Sequence, residues 1–101
     1  MKINIIAVGH KPPKWAEDGC QEYLKRFHRE LSISVTEIKP AFRVGHTDKN
    51  HLARKTEKER ILAKANKNAY LIALDDRGSQ NTTSELAKLM STWMTEGKDV
   101  D

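Results

Sequence analysis

Leu74-Asp75-Asp76-Arg77-Gly78 places two adjacent carboxylates, a guanidinium and a glycine at the end of an apolar run, Ala69 to Leu74. In open α/β sheets, ligands bind beyond the carboxyl ends of the strands, and a carboxylate there can accept hydrogen bonds from ribose hydroxyls. The same residues are also ordinary turn chemistry, because Asp and Gly favour tight turns. A second such end, Gly9-His10-Lys11, closes the run Ile3 to Val8. It lacks the further glycines of G-x-G-x-x-G, so a dinucleotide site is not supported there. A third group is basic: Lys39, Arg43, Lys49, Arg54 and Lys55 are opposed only by Asp48 and accompanied by Phe42, His46 and His51. A basic loop carrying an aromatic can grip phosphates and stack on a base, although a solvated loop has the same composition.

Other chemistries find little support. His10, His28, His46 and His51 are scattered, and His46 and His51 miss the i, i+4 spacing of a helical metal pair, so no metal is expected. The single cysteine, Cys20, excludes an internal disulfide and falls on an apolar helix face. That placement favours a buried structural thiol over a nucleophile. No Ser–His–Asp arrangement is evident.

The elements that must position these residues follow from hydrophobic period. Ile3 to Val8 is a β-branched run closed by Gly9, which reads as a buried strand. Ala16, Cys20, Tyr23, Leu24 and Phe27 recur at helical spacing over 14–29, just after Pro12-Pro13. "LSISVTEI" alternates, with Leu31, Ile33 and Val35 on one face, as in a strand with one covered side. Residues 39–50 read as a loop, and 51–65 as a second helix with Leu52, Ile61, Leu62 and Ala65 inward. "AYLIAL" lacks alternation, as in a central strand covered on both faces. Thr82-x-x-Glu85 is a capping box, Leu86, Leu89, Met90, Trp93 and Met94 form the helical stripe behind it, and Gly97 is the stop. The order β-α-β-α-β-α argues for an α/β fold with a parallel sheet and right-handed crossovers. Val100, between Asp99 and Asp101, sits where a fourth strand should begin. Residues 1–101 are therefore expected to be a single incomplete α/β domain.

Composition agrees with one small domain. The chain has 101 residues, 38% of them hydrophobic, with mean hydropathy −0.71. Its net charge of +4 permits a polyanionic partner without demanding one. The apolar run near the N-terminus is too short for a signal-peptide core or a membrane span, so a cytoplasmic location and no membrane partner are the default expectations.

Assembled in order, "MKINIIAVGHKPPKW", "GCQEYLKRF", "EIKP", "ERILAK", "IALDDRG", "TTSELAKLM" and "EGKDV" resemble the ribosomal RNA large subunit methyltransferase H family, of the SPOUT class. The resemblance runs along essentially the whole chain. It implies an enzyme that methylates N3 of a pseudouridine in 23S (large-subunit) ribosomal RNA, with S-adenosylmethionine as methyl donor. It implies a homodimer, action on the assembled ribosome, and a sheet carrying a trefoil knot that builds most of the cofactor pocket. The knotted part has no counterpart in these residues, so the chain resembles the N-terminal part of a SPOUT (α/β knot) fold with the knot absent. Taken alone, it is expected to be inactive and to bind cofactor weakly at best. Carried over residue by residue, the family's cofactor contact falls on Leu74, packed against adenosine, with Asp75 shaping the pocket mouth. The catalytic residues are expected downstream. The family often has lysine after the glycine, but Ser79 stands here, which weakens a cation role at that position. Lys11, Arg43 and Lys49 become candidates for RNA contact. Two alternatives are a non-enzymatic ribosome- or RNA-binding α/β module, and a structural fragment that associates through the Leu86–Met94 stripe.

Overall fold

The computed structural model of the chain describes residues 1–27, 30–42 and 49–101. Two strands, β1 (Lys2–Val8) and β2 (Ser32–Ile38), pair in parallel through their full lengths, from Lys2 opposite Ser32 to Val8 opposite Ile38. Parallel neighbours need a crossover, and helix α1 (Lys14–Leu24) supplies it. Pro13 precedes the first helical residue with extended backbone, where a missing N–H costs nothing. On one face of the strand pair, the Asn4 Oδ1 accepts from Ser34 Oγ (3.2 Å) and Thr36 Oγ1 (2.8 Å), which locks the register across the two strands.

Helix α2 (Lys49–Lys64) packs against both strands. It begins two residues before the expected start. Its inner face is Ala53 and Glu57, both buried, rather than Leu52 and Leu62, which are exposed. Leu52 and Leu62 point away because the helical period from Ala53 through Glu57 to Arg60 fixes which side meets the sheet. Glu57 accepts a hydrogen bond from the Ala41 N–H at 3.1 Å, and Arg60 Nη1 donates to the Lys39 carbonyl at 2.7 Å. These two bonds pin the stretch that leaves β2.

Helix α3 (Thr83–Glu96) is bounded as its sequence dictates. The Thr82 Oγ1 accepts from the Glu85 N–H at 3.1 Å and its hydroxyl donates back to the Glu85 carboxylate at 3.0 Å. At the other end Gly97 adopts φ 69°, and the N–H groups of Gly97 and Lys98 reach back to Met94 and Trp93 in a Schellman turn. A side chain at Gly97 would be strained there.

The chain then enters the sheet from an unexpected side. Val100 forms parallel bridges to Ile3 on one flank and to Tyr70 on the other. The Val100 N–H donates to the Lys2 carbonyl (3.0 Å), and the Asn4 N–H donates to the Val100 carbonyl (2.9 Å). Across the other flank, Tyr70 N–H donates to Asp99, Asp101 N–H to Tyr70, and Ile72 N–H to Asp101, at 2.8–2.9 Å. The flanking carboxylates extend the ladder, Asp99 accepting from the Lys2 N–H and Asp101 from the Asn66 N–H. The order across the sheet is therefore residues 70–72, then 99–101, then β1, then β2.

Two expectations are corrected here. The run Ala69–Leu74 is not a covered central strand: only Tyr70 is bridged, and Leu71, Ile72 and Leu74 are exposed. A strand requires ladder bonds, and among the described residues those of this run reach no further than Ile72. The covered side of β2 is the Thr36 and Ile38 side, with Ile38 buried, while Val35 is about half exposed. The β-α-β-α-β-α reading thus survives as α/β with a parallel sheet whose third strand is reduced to one bridge.

Little is enclosed. Ile38, Ala53 and Val100 are the buried apolar residues among those described, and neither α1 nor α3 buries any residue. The accessible surface is 8647 Å², against roughly 5,800 Å² for a compact monomer of this mass. The radius of gyration is 15.6 Å, against roughly 13 Å for a compact domain of this length.

Val100→Ala removes the apolar contact at the centre of the sheet and should cost about 2 kcal/mol in urea unfolding. Glu57→Ala leaves the Ala41 N–H without its acceptor and should cost about 1–2 kcal/mol, whereas Glu57→Gln, which keeps an acceptor oxygen, should lose less. A change within experimental error for Val100→Ala would contradict the stitching role assigned to it.

Candidate functional site

Because β1, β2 and residues 70–72 run parallel, their carboxyl ends lie along one edge. Gly9-His10-Lys11, Lys39 to Phe42, and Leu74 to Gly78 all leave the sheet there. The edge is exposed: Lys11, Phe42 and Leu74 all face solvent, Leu74 at 94%.

The Leu74–Gly78 segment folds into a tight turn built on one carboxylate. Asp75 Oδ1 accepts from the Arg77 backbone N–H (2.8 Å) and from Arg77 Nε (3.1 Å), while Oδ2 accepts from Arg77 Nη2 (2.9 Å). The Gly78 N–H closes the turn on the Asp75 carbonyl at 3.0 Å. A Cβ at Gly78 would lie 3.1 Å from that carbonyl oxygen, so the turn is drawn as tight as a glycine allows. The bidentate guanidinium holds the Asp75 carboxyl well below the usual carboxylate range, helped by the Arg77 backbone N–H and then by Asp76. Arg77 is raised in turn by Asp75.

These contacts decide between the two readings of the segment in part. Both carboxylate oxygens of Asp75 are engaged by Arg77, so the side chain acts first as the keystone of the turn. The turn in turn leaves Leu74 bare, beside Leu71 and Ile72, as an apolar surface at the sheet's edge. That surface is one wall. Nothing among the described residues stands opposite it, so these residues do not enclose a nucleoside.

The remaining sequence-derived candidates are placed as follows. Lys11 is exposed in the loop after β1. Arg43 lies outside the described residues, as does the side chain of Lys49, whose backbone opens α2. Cys20 is exposed rather than buried, because the inner face of α1 has no cover. No group of three His, Cys, Asp or Glu side chains among the described residues is placed to hold a metal ion. No helix among them is long and apolar enough to cross a membrane.

Sequence reading missed four polar residues that carry much of the local order. Glu57 is the buried polar residue among those described, and its signal was available in its helical spacing from Ala53. Asp99 and Asp101 serve as backbone acceptors on opposite flanks of Val100, a role their alternation already permits. Tyr70 donates its hydroxyl to Glu96, which raises the phenol, and Lys98 lies over its ring at 5.5 Å.

The Asp75–Arg77 pair makes a pH-dependent prediction. The folded carboxyl titrates below its unfolded value, so its contribution to the turn is present above the ordinary aspartate range. That contribution is lost as pH falls through the depressed folded value. Carboxyl-carbon NMR should place the Asp75 midpoint below the ordinary aspartate value, and Arg77→Ala should raise it towards that value. A midpoint at the ordinary value in the parent chain would contradict the pairing.

All 101 residues match the family described as predicted SPOUT methyltransferases. The chain is also 48% identical over 100 residues to a Dechloromonas aromatica protein named ribosomal RNA large subunit methyltransferase H, spanning 99% of this chain and 63% of that protein. Proteins of the same name from Methylobacillus flagellatus and Thiobacillus denitrificans are 46% and 45% identical, with 63% and 62% of their lengths covered. The chain thus spans less than two-thirds of the length of these curated relatives. With a match that runs from its first residue to its last, the chain belongs to the SPOUT methyltransferase family.

Proposed function

We propose that the protein to which these residues belong methylates large-subunit ribosomal RNA, at N3 of a pseudouridine, using S-adenosylmethionine. The observation that carries this reading is the identity of nearly half the residues, across 99% of the chain, with a relative named for ribosomal RNA methylation. The exposed Leu74, at the carboxyl end of a parallel sheet, is where such a fold receives a ligand.

In this reading Leu74 supplies apolar contact to the adenosine portion, and the Asp75–Arg77 turn sets the position of Leu74 and the mouth of the pocket. One wall does not hold a nucleoside, so residues 1–101 by themselves bind the cofactor weakly and do not turn over. Action in the cytoplasm and a homodimeric assembly are part of the same proposal. The large uncovered surface is consistent with further protein packing on this chain. Lys11, Arg43 and Lys49 are proposed to meet RNA phosphates, which steer and hold a polyanion without reading its sequence.

Isothermal titration with S-adenosylmethionine tests the cofactor half. The 101-residue chain should show no saturable heat below about millimolar ligand, while a version extended to the relatives' full length should bind in roughly the micromolar range. Micromolar binding by residues 1–101 alone would overturn the one-wall account.

Salt titration tests the RNA half. Lys11→Glu in the extended protein should weaken ribosomal RNA binding and reduce the slope of log affinity against log salt by about 1. An unchanged slope would remove Lys11 from the interface. Salt-sensitive RNA binding by the 101-residue chain, with no methyl transfer by the extended one, would favour a non-enzymatic RNA-binding module instead.

A further inference from the structure

Two stretches that follow β1 and β2 carry cations and aromatics and no acid. The first is Gly9-His10-Lys11-Pro12-Pro13-Lys14-Trp15, and the second is Lys39-Pro40-Ala41-Phe42. They leave adjacent parallel strands, and the Gly9 N–H donates to the Ile38 carbonyl at 3.1 Å, which ties the two exits together. β1 separates the second exit from residues 99–101, so Phe42 leaves the sheet at the end away from Leu74. Each stretch closes on an exposed ring, Trp15 at 79% and Phe42 at 86%. Lys11, Lys14 and Lys39 are exposed as well. The second stretch is held by α2. Arg60 bonds the Lys39 carbonyl and Glu57 the Ala41 N–H, so Phe42 follows a backbone fixed on both sides of Pro40. The Glu57 carboxylate is buried, so it does not oppose the lysines at the surface. Acids resume at Glu17 on α1 and stop at Glu37 on β2, which bounds the two stretches.

We propose that these stretches form a surface for single-stranded RNA, on which Phe42 and Trp15 stack against unpaired bases while Lys11, Lys14 and Lys39 meet phosphates. The inference rests on the proposed function for its partner, RNA; what it adds is the surface and the unpaired state of the bases. Cations alone would serve a duplex, which presents phosphates and keeps its base faces inside the stack. A single strand presents both, and aromatic platforms set among cations match its alternation of base and phosphate. Phe42 has no donor for a phosphate, so its ring adds affinity only against another apolar or aromatic face. Holding its backbone in advance reduces the ordering cost of that contact. The net charge of +4 favours a polyanion over a neutral partner.

The test is fluorescence anisotropy with the 101-residue chain and two labelled probes, a short single-stranded oligoadenylate and an abasic ribose-phosphate strand of equal length. The probes carry the same charge and differ only in their bases, so this comparison alters nothing in the protein. Oligoadenylate should bind at least about tenfold more tightly than the abasic strand. Phe42→Leu and Trp15→Leu should each weaken oligoadenylate binding by about fivefold or more, with the slope of log affinity against log salt unchanged. Lys39→Gln should weaken both probes and lower that slope by about 0.7. Both rings are exposed, so the leucine variants should keep the parent chain's urea midpoint. Equal binding of the two probes, or binding of neither, overturns the proposal, as does oligoadenylate binding unchanged by Phe42→Leu. Phe42→Leu that lowers the mass of the chain at high concentration and spares RNA binding would also overturn it, because the ring would then serve a protein contact. The methyl-transfer reading fails separately: methylation by the extended protein with no base preference here removes only this surface, and base-dependent binding here with no methylation there removes only the reaction.

Discussion

Everything in this sheet depends on Val100 pairing with two neighbours at once. Without it, β1 and β2 would form a two-stranded ribbon with α2 attached, and residues 70–74 would have no backbone partner. Two-stranded assemblies are marginal in water, because too few ladder bonds and too little buried surface offset the ordering entropy. One buried valine, the backbone bonds of its two aspartate neighbours and the carboxylates of those aspartates join the ribbon to the segment that presents Leu74. The site and the central pairing are therefore one construction: Leu74 lies four residues along from Tyr70, the residue that Val100 holds.

The uncovered surface follows from the same economy. A sheet gains stability when both faces are packed, yet Ile5 and Val35 remain 44% and 47% exposed. Tyr23 and Phe27 near α1, and Leu86, Leu89 and Met94 on α3, are exposed as well. Helical stripes of this quality ordinarily bury themselves, and here they face solvent. The exposure of Cys20 and Leu74 belongs to this general condition and not to any special property of either residue.

Local chemistry was the most legible in the sequence. The Thr82–Glu85 capping box and the Gly97 stop were read correctly because each is decided within a few residues by hydrogen bonds the chain makes to itself. The capacity of Asp75 to cap a turn was legible for the same reason, since Arg77 lies two residues away. Non-local choices were not. Leu52 and Leu62 looked like the inner face of α2, but the sheet received Ala53 and Glu57, a choice set by where the helix lands. Val100 was recognisable as the start of a strand, whereas its insertion between β1 and Tyr70 could not be deduced, because parallel pairing leaves no signature in adjacent residues. The run Ala69–Leu74 had the composition of a buried strand, and among the described residues its ladder bonds reach only Ile72. Membership of the SPOUT family was legible from ordered short blocks.

The bond from the Lys2 N–H to the Asp99 carboxylate joins residues 97 apart in sequence. A ribosome makes β1 well before it makes Val100. At typical elongation rates of roughly 5–20 residues per second, the inner edge of β1 waits several seconds or more for its partner. Throughout that interval Ile3, Ile5 and Ile6 present an open apolar edge to solvent and to other nascent chains. Loop closure over such a span also makes the central pairing late in refolding from denaturant. The order of synthesis and the order of the sheet are at odds in this chain, and its early strand must be kept from associating elsewhere until residues 99–101 arrive.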